Sequence, residues 1–377
     1  MTISQEEPTD PEPVKIKRKR YLPGIDDEHW NSFNAVRKKH NLSWSQVFDR
    51  FQIYQNGIEY IFSAPGELTK QLRLDLNTVM GLVSLWISNI RGNWYEIDKN
   101  PDVSKLLENN VNVYKGVPAV CIGAGPSLKE KQHLKMLKEN CGNRVIFSTV
   151  HSLIWCLEEG IVPHFTAVVD GSPVMEKFID HPLVDEHADE IKIVFCASAS
   201  PDVVKRWKGS QKYFFLSGIP QNLIPNVDTY ISMMLPSLSQ LDTGGNSGAF
   251  NYSLASYLGC NPVAMIGMDL GYPKDLPYEK TMYYHAYAQS IGVGKGKDGY
   301  KDAQDMIAKC YHDVTHPVFG TISYTDFVYD VFLESLKGQI KYNKENLRTQ
   351  AINCTEGGCL FSEDMDCMKF KDFLEKW

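Results

Sequence analysis

Apolar and polar positions follow two different patterns along the chain, and the change falls near residue 115. Residues 26–55 and 67–91 carry apolar side chains three or four positions apart, which predicts helices with one buried face. Beyond residue 115, short apolar runs alternate with amphipathic stretches. Strands and helices in alternation predict a mostly parallel sheet that is covered by helices on both faces.

The apolar runs have the length and composition of strands that are buried on both sides. They span residues 117–122, 144–149, 165–169, 192–197, 213–216 and 263–266. Helices are predicted over 128–139, 151–159, 247–258 and 321–347, and a long loop over 271–300. The pattern therefore predicts an α/β fold, with a Rossmann-like domain over 111–377 and a helical region over 23–110.

The first apolar run ends in a turn with the composition of an anion site. Gly123 and Gly125 allow a sharp bend and a close approach of the backbone to a ligand. Pro126 suits the first turn of a helix, and Ser127 offers a hydroxyl. A strand, a glycine turn and a helix start together most often bind phosphate. The alternative is a tight turn without a ligand, and neither the dinucleotide fingerprint nor the P-loop is present.

Further polar groups follow later strands. Asp170 ends one apolar run and Asp269 follows another. Gly244, Gly245, Asn246 and Ser247 form a second glycine-rich helix start, which is a second candidate for phosphate. Ligands of parallel sheets bind beyond the carboxyl ends of the strands, where all these groups are expected. The alternative role for each aspartate is to cap a helix.

Composition and charge narrow the class of protein. A net charge of −7 over 377 residues argues against a general nucleic-acid coat. Residues 1–22 read as a disordered tail, and the basic cluster at 15–20 within it is either solvated or a contact for nucleic acid or anionic lipid. No apolar run approaches the ~18 residues of a membrane helix. Nine scattered cysteines indicate reduced thiols and a cytoplasmic location; an oligomer is possible.

Five short motifs occur in the order found in one known family. They are Ile-Gly-Ala-Gly-Pro-Ser-Leu at 122–128, Val-Val-Asp-Gly-Ser-Pro at 168–173, Gly-Gly-Asn-Ser at 244–247, Ile-Gly-Met-Asp-Leu-Gly-Tyr at 266–272 and Asn-Cys-Thr-Glu-Gly-Gly at 353–358. Together they resemble the 6-hydroxymethylpterin diphosphokinase MptE-like family, which includes the motility-associated factors of flagellin glycosylation. Met268 stands where the family pattern has Gln. The string from Gly125 is also similar to the start of bacterial sialyltransferases that use a CMP-sugar.

The resemblance implies a transferase that uses ATP or another nucleotide with Mg²⁺ and a small-molecule or glycan acceptor. Asp170 and Asp269 would hold the metal or act on the attacking hydroxyl. His285 would serve as a base, with a surface-loop histidine as the alternative. Glu356 would hydrogen-bond a heterocycle, or else stabilise its turn. Glycosyl transfer from a nucleotide-activated nonulosonic acid and non-catalytic nucleotide binding remain the alternative functions.

Overall fold

The computed structural model describes residues 68–217, 238–284 and 308–377. The predicted tail, the helical pattern over 26–55 and His285 lie outside these ranges. The helices, numbered within the described residues, are α1 (Leu68–Lys99), α2 (Val103–Tyr114), α3 (Ser127–Glu130), α4 (His133–Glu139), α5 (Val150–Glu158), α6 (Pro182–His187), α7 (Pro201–Arg206), α8 (Ser247–Tyr257), α9 (Phe327–Asn346) and α10 (Phe370–Lys376).

The main sheet confirms the predicted α/β class. Its strands are β1 (Ala119–Ile122), β2 (Val145–Thr149), β3 (Phe165–Val168), β4 (Lys192–Cys196), β5 (Lys212–Ser217), β6 (Gln240–Leu241), β7 (Val263–Ile266), β11 (Ala351–Asn353) and β12 (Asp366–Cys367). Their order across the sheet is β12-β11-β7-β1-β2-β3-β4-β5-β6. Every pairing described in it is parallel. The sheet is thus doubly wound around β1.

Alternate side chains of the central strand enter different layers of the core. Ala119 and Cys121 join the apolar cluster that includes residues of α2, α8 and α9. Val120 and Ile122 join the cluster that includes residues of α3, α4, α5 and α10. Successive side chains of a strand point to opposite faces, so a wholly apolar run requires cover on both. Helices on both faces supply that cover, as the apolar runs predict.

Local signals account for several helix starts, whereas one predicted helix is wrong in detail. Pro173, Pro182 and Pro201 lie in the first turns of a 3₁₀ helix (Pro173–Phe178), α6 and α7, where the missing N–H costs nothing. The predicted helix over 128–139 is two helices, α3 and α4. Gln132 breaks it because its φ of 55° is left-handed and incompatible with a continuous helix.

A small antiparallel sheet adjoins the main one. It consists of β8 (Tyr272–Pro273), β10 (Ile322–Asp326) and β9 (Tyr311–Thr315), in that order. Two predictions change here, since residues 272–273 are a strand within the predicted loop and residues 322–326 are a strand within the predicted helix. Asp326 ends β10 and caps α9, because its side chain accepts from the N–H groups of Val328 and Tyr329. The tyrosines Tyr272, Tyr311 and Tyr324 form the core of this sheet.

Helix α1 is held to the carboxyl side of the main sheet by two buried asparagines one turn apart. Asn89 donates to the carbonyl oxygens of Gly171 and Ser198. Asn93 donates to those of Ala197 and Ala199. These bonds satisfy loop carbonyls beyond β3 and β4 and place the end of α1 beside them. Among the helices of the described ranges, none combines the length and apolar composition needed to cross a membrane.

Candidate functional site

The strand order places a crevice at the carboxyl ends of β1 and β7. The chain leaves β1 in one direction through β2 to β6 and returns to the other side of β1 as β7. In open parallel sheets, ligands bind at this reversal of strand order. The turn after β1 carries Gly123, Gly125 and Ser127, and the turn after β7 carries Asp269. The predicted meeting of these groups at one edge is therefore observed.

The glycines of the first turn allow two turns to pack together. The N–H of Gly123 donates to the backbone carbonyl oxygen of Ile266. The N–H of Gly125 donates to the backbone carbonyl oxygen of Gly267. Both bonds are 2.8 Å long. A Cβ on Gly123 would overlap the Gly267 oxygen, and one on Gly125 would overlap the carboxylate of Asp269. Only glycine fits here. These two N–H groups are engaged within the protein, and Pro126 has none, so phosphate binding by this turn stays a prediction.

Asp269 is a buried carboxylate at the centre of the crevice. Its Oδ2 accepts from the hydroxyl of Ser127 over 2.7 Å, and its Oδ1 accepts from the Ser127 N–H over 3.3 Å. Its residue exposure is 7%. Burial raises the pKa of Asp269 to about 6, although the hydrogen bonds from Ser127 act in the opposite direction. The Asp269 carboxyl therefore titrates closer to neutral pH than an ordinary aspartate.

A third turn, after β11, fixes the backbone of Asp269. The N–H of Cys359 donates to the backbone carbonyl oxygen of Asp269 over 2.8 Å. The hydroxyl oxygen of Thr355 accepts from the N–H of Met268. A Cβ on Gly358 would overlap the Asp269 backbone. Position 358 also has a φ of 72°, in the region that favours glycine. The late Thr-Glu-Gly-Gly motif thus supports Asp269 directly.

Glu356 lies in that third turn and has partners inside the protein. Its Oε1 accepts from the N–H of Phe370, at the start of α10, over 3.0 Å. The same atom lies 3.4 Å from Nε2 of the buried His133. Burial lowers the pKa of His133, and the charge of Glu356 opposes that shift. These contacts support the structural role for Glu356, while its contact with a heterocycle stays a prediction.

The Gly-Gly-Asn-Ser segment starts α8 beside the same crevice. Gly244 and Gly245 have φ values of 58° and 79°. The side chain of Asn246 caps the helix by accepting from the N–H of Ala249 over 2.9 Å. Ser247 is the first residue of α8. A Cβ on Gly248 would overlap the sulfur of Met268, so the first turn of α8 packs against the Asp269 turn.

Asp170 lies at the same edge of the sheet but away from Asp269. It is exposed at the end of β3, and its Oδ1 accepts from the N–H of Ser172 over 2.7 Å. Strands β7 and β3 are three positions apart, which separates them by roughly 14 Å. Across the described ranges, no three His, Cys, Asp or Glu side chains converge as a metal site. The two aspartates are thus not arranged as a joint metal cage.

Sequence patterns did not indicate two aromatic residues near Asp170. His151 lies in the first turn of α5, directly after β2, and its ring contacts Phe178 with centroids 4.2 Å apart. Burial lowers the pKa of His151, the charge of Asp170 opposes that shift, and the charge of Lys177 adds to it. The ring of Tyr283 contacts that of Tyr329 of α9, with centroids 5.7 Å apart, and the charge of Asp170 is among the causes that raise the pKa of Tyr283. A histidine within a helix and a tyrosine in a loop carry no motif that could have identified them.

Comparison with known proteins identifies a family and a solved structure of similar fold. The family model described as 6-hydroxymethylpterin diphosphokinase MptE-like matches residues 88–275. A solved MAf glycosyltransferase from Magnetospirillum magneticum AMB-1 is similar with a TM-score of 0.46 and 16% identity, over 68% of this chain and 34% of that one. The chain thus spans about a third of that protein, and a likeness at this level says nothing of activity. No curated protein matches the chain.

Proposed function

Residues 88–275 belong to the 6-hydroxymethylpterin diphosphokinase MptE-like family, and from this premise we propose a nucleotide-dependent transferase that moves a pyrophosphoryl group from ATP to a hydroxymethyl acceptor. Membership of this family supports the assignment of the protein as a transferase. The matched residues include the turns after β1, β3 and β7 and the start of α8. The finer assignment, to ATP and to a pterin-like acceptor, is our proposal.

The observation that carries the proposal is the hydrogen-bonded pair of Ser127 and Asp269 at the strand reversal. Phosphoryl-type transfer depends mainly on positioning and on neutralising charge, rather than on a covalent enzyme intermediate. The pair lies on rigid turns that are joined by backbone hydrogen bonds, so its geometry is set before a substrate binds. Position and rigidity together suit the binding of a nucleotide's phosphates.

The donor chemistry of the crevice fits Mg²⁺ held partly by the nucleotide. Mg²⁺ prefers oxygen ligands and is usually bound by one or two carboxylates together with substrate phosphates. Asp269 offers two carboxylate oxygens, and Ser127 orients both of them through hydrogen bonds. We assign Asp269 as the protein ligand of such an ion. The ion would neutralise phosphate charge.

In the proposed reaction, the acceptor's hydroxyl oxygen forms a bond to the β-phosphorus of ATP. The bond from that phosphorus to the oxygen of the α-phosphate breaks, and AMP leaves. The hydroxyl proton passes to a base or to solvent. Ser127 and Asp269 contribute by orienting the phosphates at the edge of β1 and β7.

The test combines binding and turnover. The melting temperature of the purified chain is measured with ATP, GTP, CTP and CMP, with and without Mg²⁺, since a ligand that binds only the folded state raises it. AMP and the diphosphorylated product are then sought by mass spectrometry with ATP, Mg²⁺ and 6-hydroxymethylpterin. Both signals should disappear in Asp269→Asn, with the fold verified by circular dichroism.

Other results would redirect the assignment. Stabilisation by CMP or CTP without a metal, with no effect of ATP, would favour glycosyl transfer from a CMP-activated sugar. Stabilisation by a nucleotide that stays unchanged with every acceptor offered would favour a non-catalytic binding protein. Either result would overturn the diphosphokinase proposal.

A further inference from the structure

The solvent side of α1 carries a stripe of exposed side chains that the sheet does not cover. The stripe consists of Ile87, Arg91, Trp94 and Asp98, and Tyr95 adjoins it. At 3.6 residues per turn, the four positions lie within roughly 60° of one another around the helix. Trp94 is 51% exposed and Tyr95 is 64% exposed. Large aromatic side chains that stay accessible together are typical of an interaction surface.

The inner side of α1 holds the stripe in a fixed position. Asn89 and Asn93, which donate to the loop carbonyls beyond β3 and β4, lie roughly 150° away from it around the helix. A partner bound to the stripe would therefore leave these hydrogen bonds in place. Because the backbone of the helix is already ordered, association costs less conformational entropy than docking on a loop.

The two charged residues of the stripe are unpaired inside the protein. Within the described ranges, neither Arg91 nor Asp98 has a hydrogen-bond or ion-pair partner. They lie about two helical turns apart, with Trp94 between them. The stripe thus presents one positive end and one negative end, separated by an apolar centre.

We infer that this stripe pairs with the same stripe of a second copy of the chain, so that the protein forms a two-fold dimer with antiparallel α1 helices. Arg91 and Asp98 lie equally far from a point midway between Trp94 and Tyr95. A two-fold axis through that point brings Arg91 opposite the partner's Asp98, and Asp98 opposite the partner's Arg91. It also brings Trp94 opposite the partner's Tyr95. A two-fold interface requires such self-complementarity, because the same surface serves both partners.

Charge distinguishes this arrangement from the alternatives. Parallel helices in register would bring Arg91 against the partner's Arg91 and Asp98 against the partner's Asp98, and like charges repel. An anionic membrane attracts Lys and Arg but repels the carboxylate of Asp98 within the stripe. Of these three arrangements, the antiparallel pair is the one that satisfies both charges.

The size of the contact sets the expected strength of the dimer. Two or three turns of one helix bury less than the roughly 800 Å² per partner of a standard stable interface. The dimer should therefore be reversible, with a dissociation constant in the micromolar range. Its population should then rise with protein concentration.

Sedimentation velocity of the full chain, at concentrations from about 1 to about 100 µM, measures this equilibrium. Trp94→Ala should weaken dimerisation by about 30-fold or more, since a central tryptophan is lost from both halves of the contact. Tyr342→Ala is the matched control and should leave the equilibrium unchanged, because Tyr342 is an exposed aromatic residue of α9 outside the stripe. Circular dichroism and the melting temperature verify the fold of each variant.

Charge reversal tests the antiparallel arrangement. Arg91→Asp and Asp98→Arg each place like charges opposite one another at both ends of the contact, so each should weaken dimerisation by about 10-fold. The chain that carries both substitutions should dimerise as the wild type does. An equimolar mixture of the two single variants should also dimerise, because a mixed pair again has opposite charges at both ends. Recovery in the mixture requires the contact to lie between chains.

The inference is open to direct contradiction. A monomer at every concentration, or a dimer that Trp94→Ala does not weaken, would overturn it. Single reversals that weaken the dimer without recovery in the mixture would overturn the antiparallel pairing. Co-sedimentation of monomeric protein with phosphatidylserine vesicles, lost in Trp94→Ala, would assign the stripe to a membrane instead. None of these measurements involves a nucleotide, so each outcome is independent of the proposed transferase function.

Discussion

The hydroxyl of Ser127 donates to Oδ2 of Asp269 over 2.7 Å, which joins two turns that are 142 residues apart in the chain. Both residues are buried. The bond lies where the strand order reverses, so it connects the two halves of the sheet at the carboxyl edge. A buried carboxylate costs stability when it ionises, and Asp269 lies at the reversal of strand order, which are the two reasons for the role that we propose for it.

Replacing Asp269 should remove a pH-dependent loss of stability. Its folded-state pKa of about 6 lies above the usual 3.8, so the folded state binds the proton more tightly and loses stability as the pH rises through that interval. The free energy of unfolding of Asp269→Asn should therefore rise, relative to that of wild type, by roughly 3 kcal/mol between pH 3 and pH 7. Urea unfolding at several pH values measures the difference, and a difference independent of pH would contradict the assignment.

Asp185 provides a control of opposite sign. Hydrogen bonds from Arg206 and Lys208 lower its pKa to about 2. Its contribution to stability is present above the usual pKa of an aspartate and is lost as the pH falls towards 2. Asp185→Asn should accordingly lose stability relative to wild type at neutral pH and recover it in acid.

Gly125→Ala should disrupt the crevice. The added Cβ would overlap the Asp269 carboxylate, and overpacking of this kind typically costs about 1–3 kcal/mol. Gly338→Ala, in the interior of α9, is the matched control because no atom lies within 4 Å of its new Cβ. The control should gain about 1 kcal/mol from helix propensity. Thermal unfolding of both variants is the measurement, and equal effects would refute the steric explanation.

Met268→Gln introduces the residue of the family pattern at a packed position. Met268 is 4% exposed and contacts the first turn of α8 at Gly248. An amide buried there without a partner should destabilise the free protein by about 1–3 kcal/mol. Met268→Leu, which conserves the volume, should cost less. If chemical denaturation shows that Met268→Gln is as stable as Met268→Leu, the amide forms hydrogen bonds in the crevice.

Glu356→Ala should destabilise the fold without affecting nucleotide binding. The variant removes the acceptor for the N–H of Phe370 and a neighbour of His133. The expected loss is about 1–3 kcal/mol, and Glu356→Gln should recover much of it by keeping an oxygen. Melting temperatures with and without ATP separate the roles, since a smaller shift by ATP in Glu356→Gln would indicate contact with the ligand.

Local patterns explain how much of the fold could be predicted. The strand at Val263–Ile266 agrees with its prediction, and the others differ by one or two residues at an end. A strand buried on both faces is mostly apolar, as in β1 and β7, which makes it visible in sequence. The break at Gln132 was missed because its left-handed φ depends on packing of α3 and α4 rather than on an obvious breaker residue.

The sequence by itself determined the alternation of strands and helices and the polar groups that follow the strands, because both are properties of short segments. Only the tertiary structure decided which of those groups meet. Because the chain returns as β7 beside β1, Asp269 meets Ser127. Asp170 follows β3, which lies three positions from β7 in the sheet. Strand order arises from packing between distant segments, and no local period encodes it.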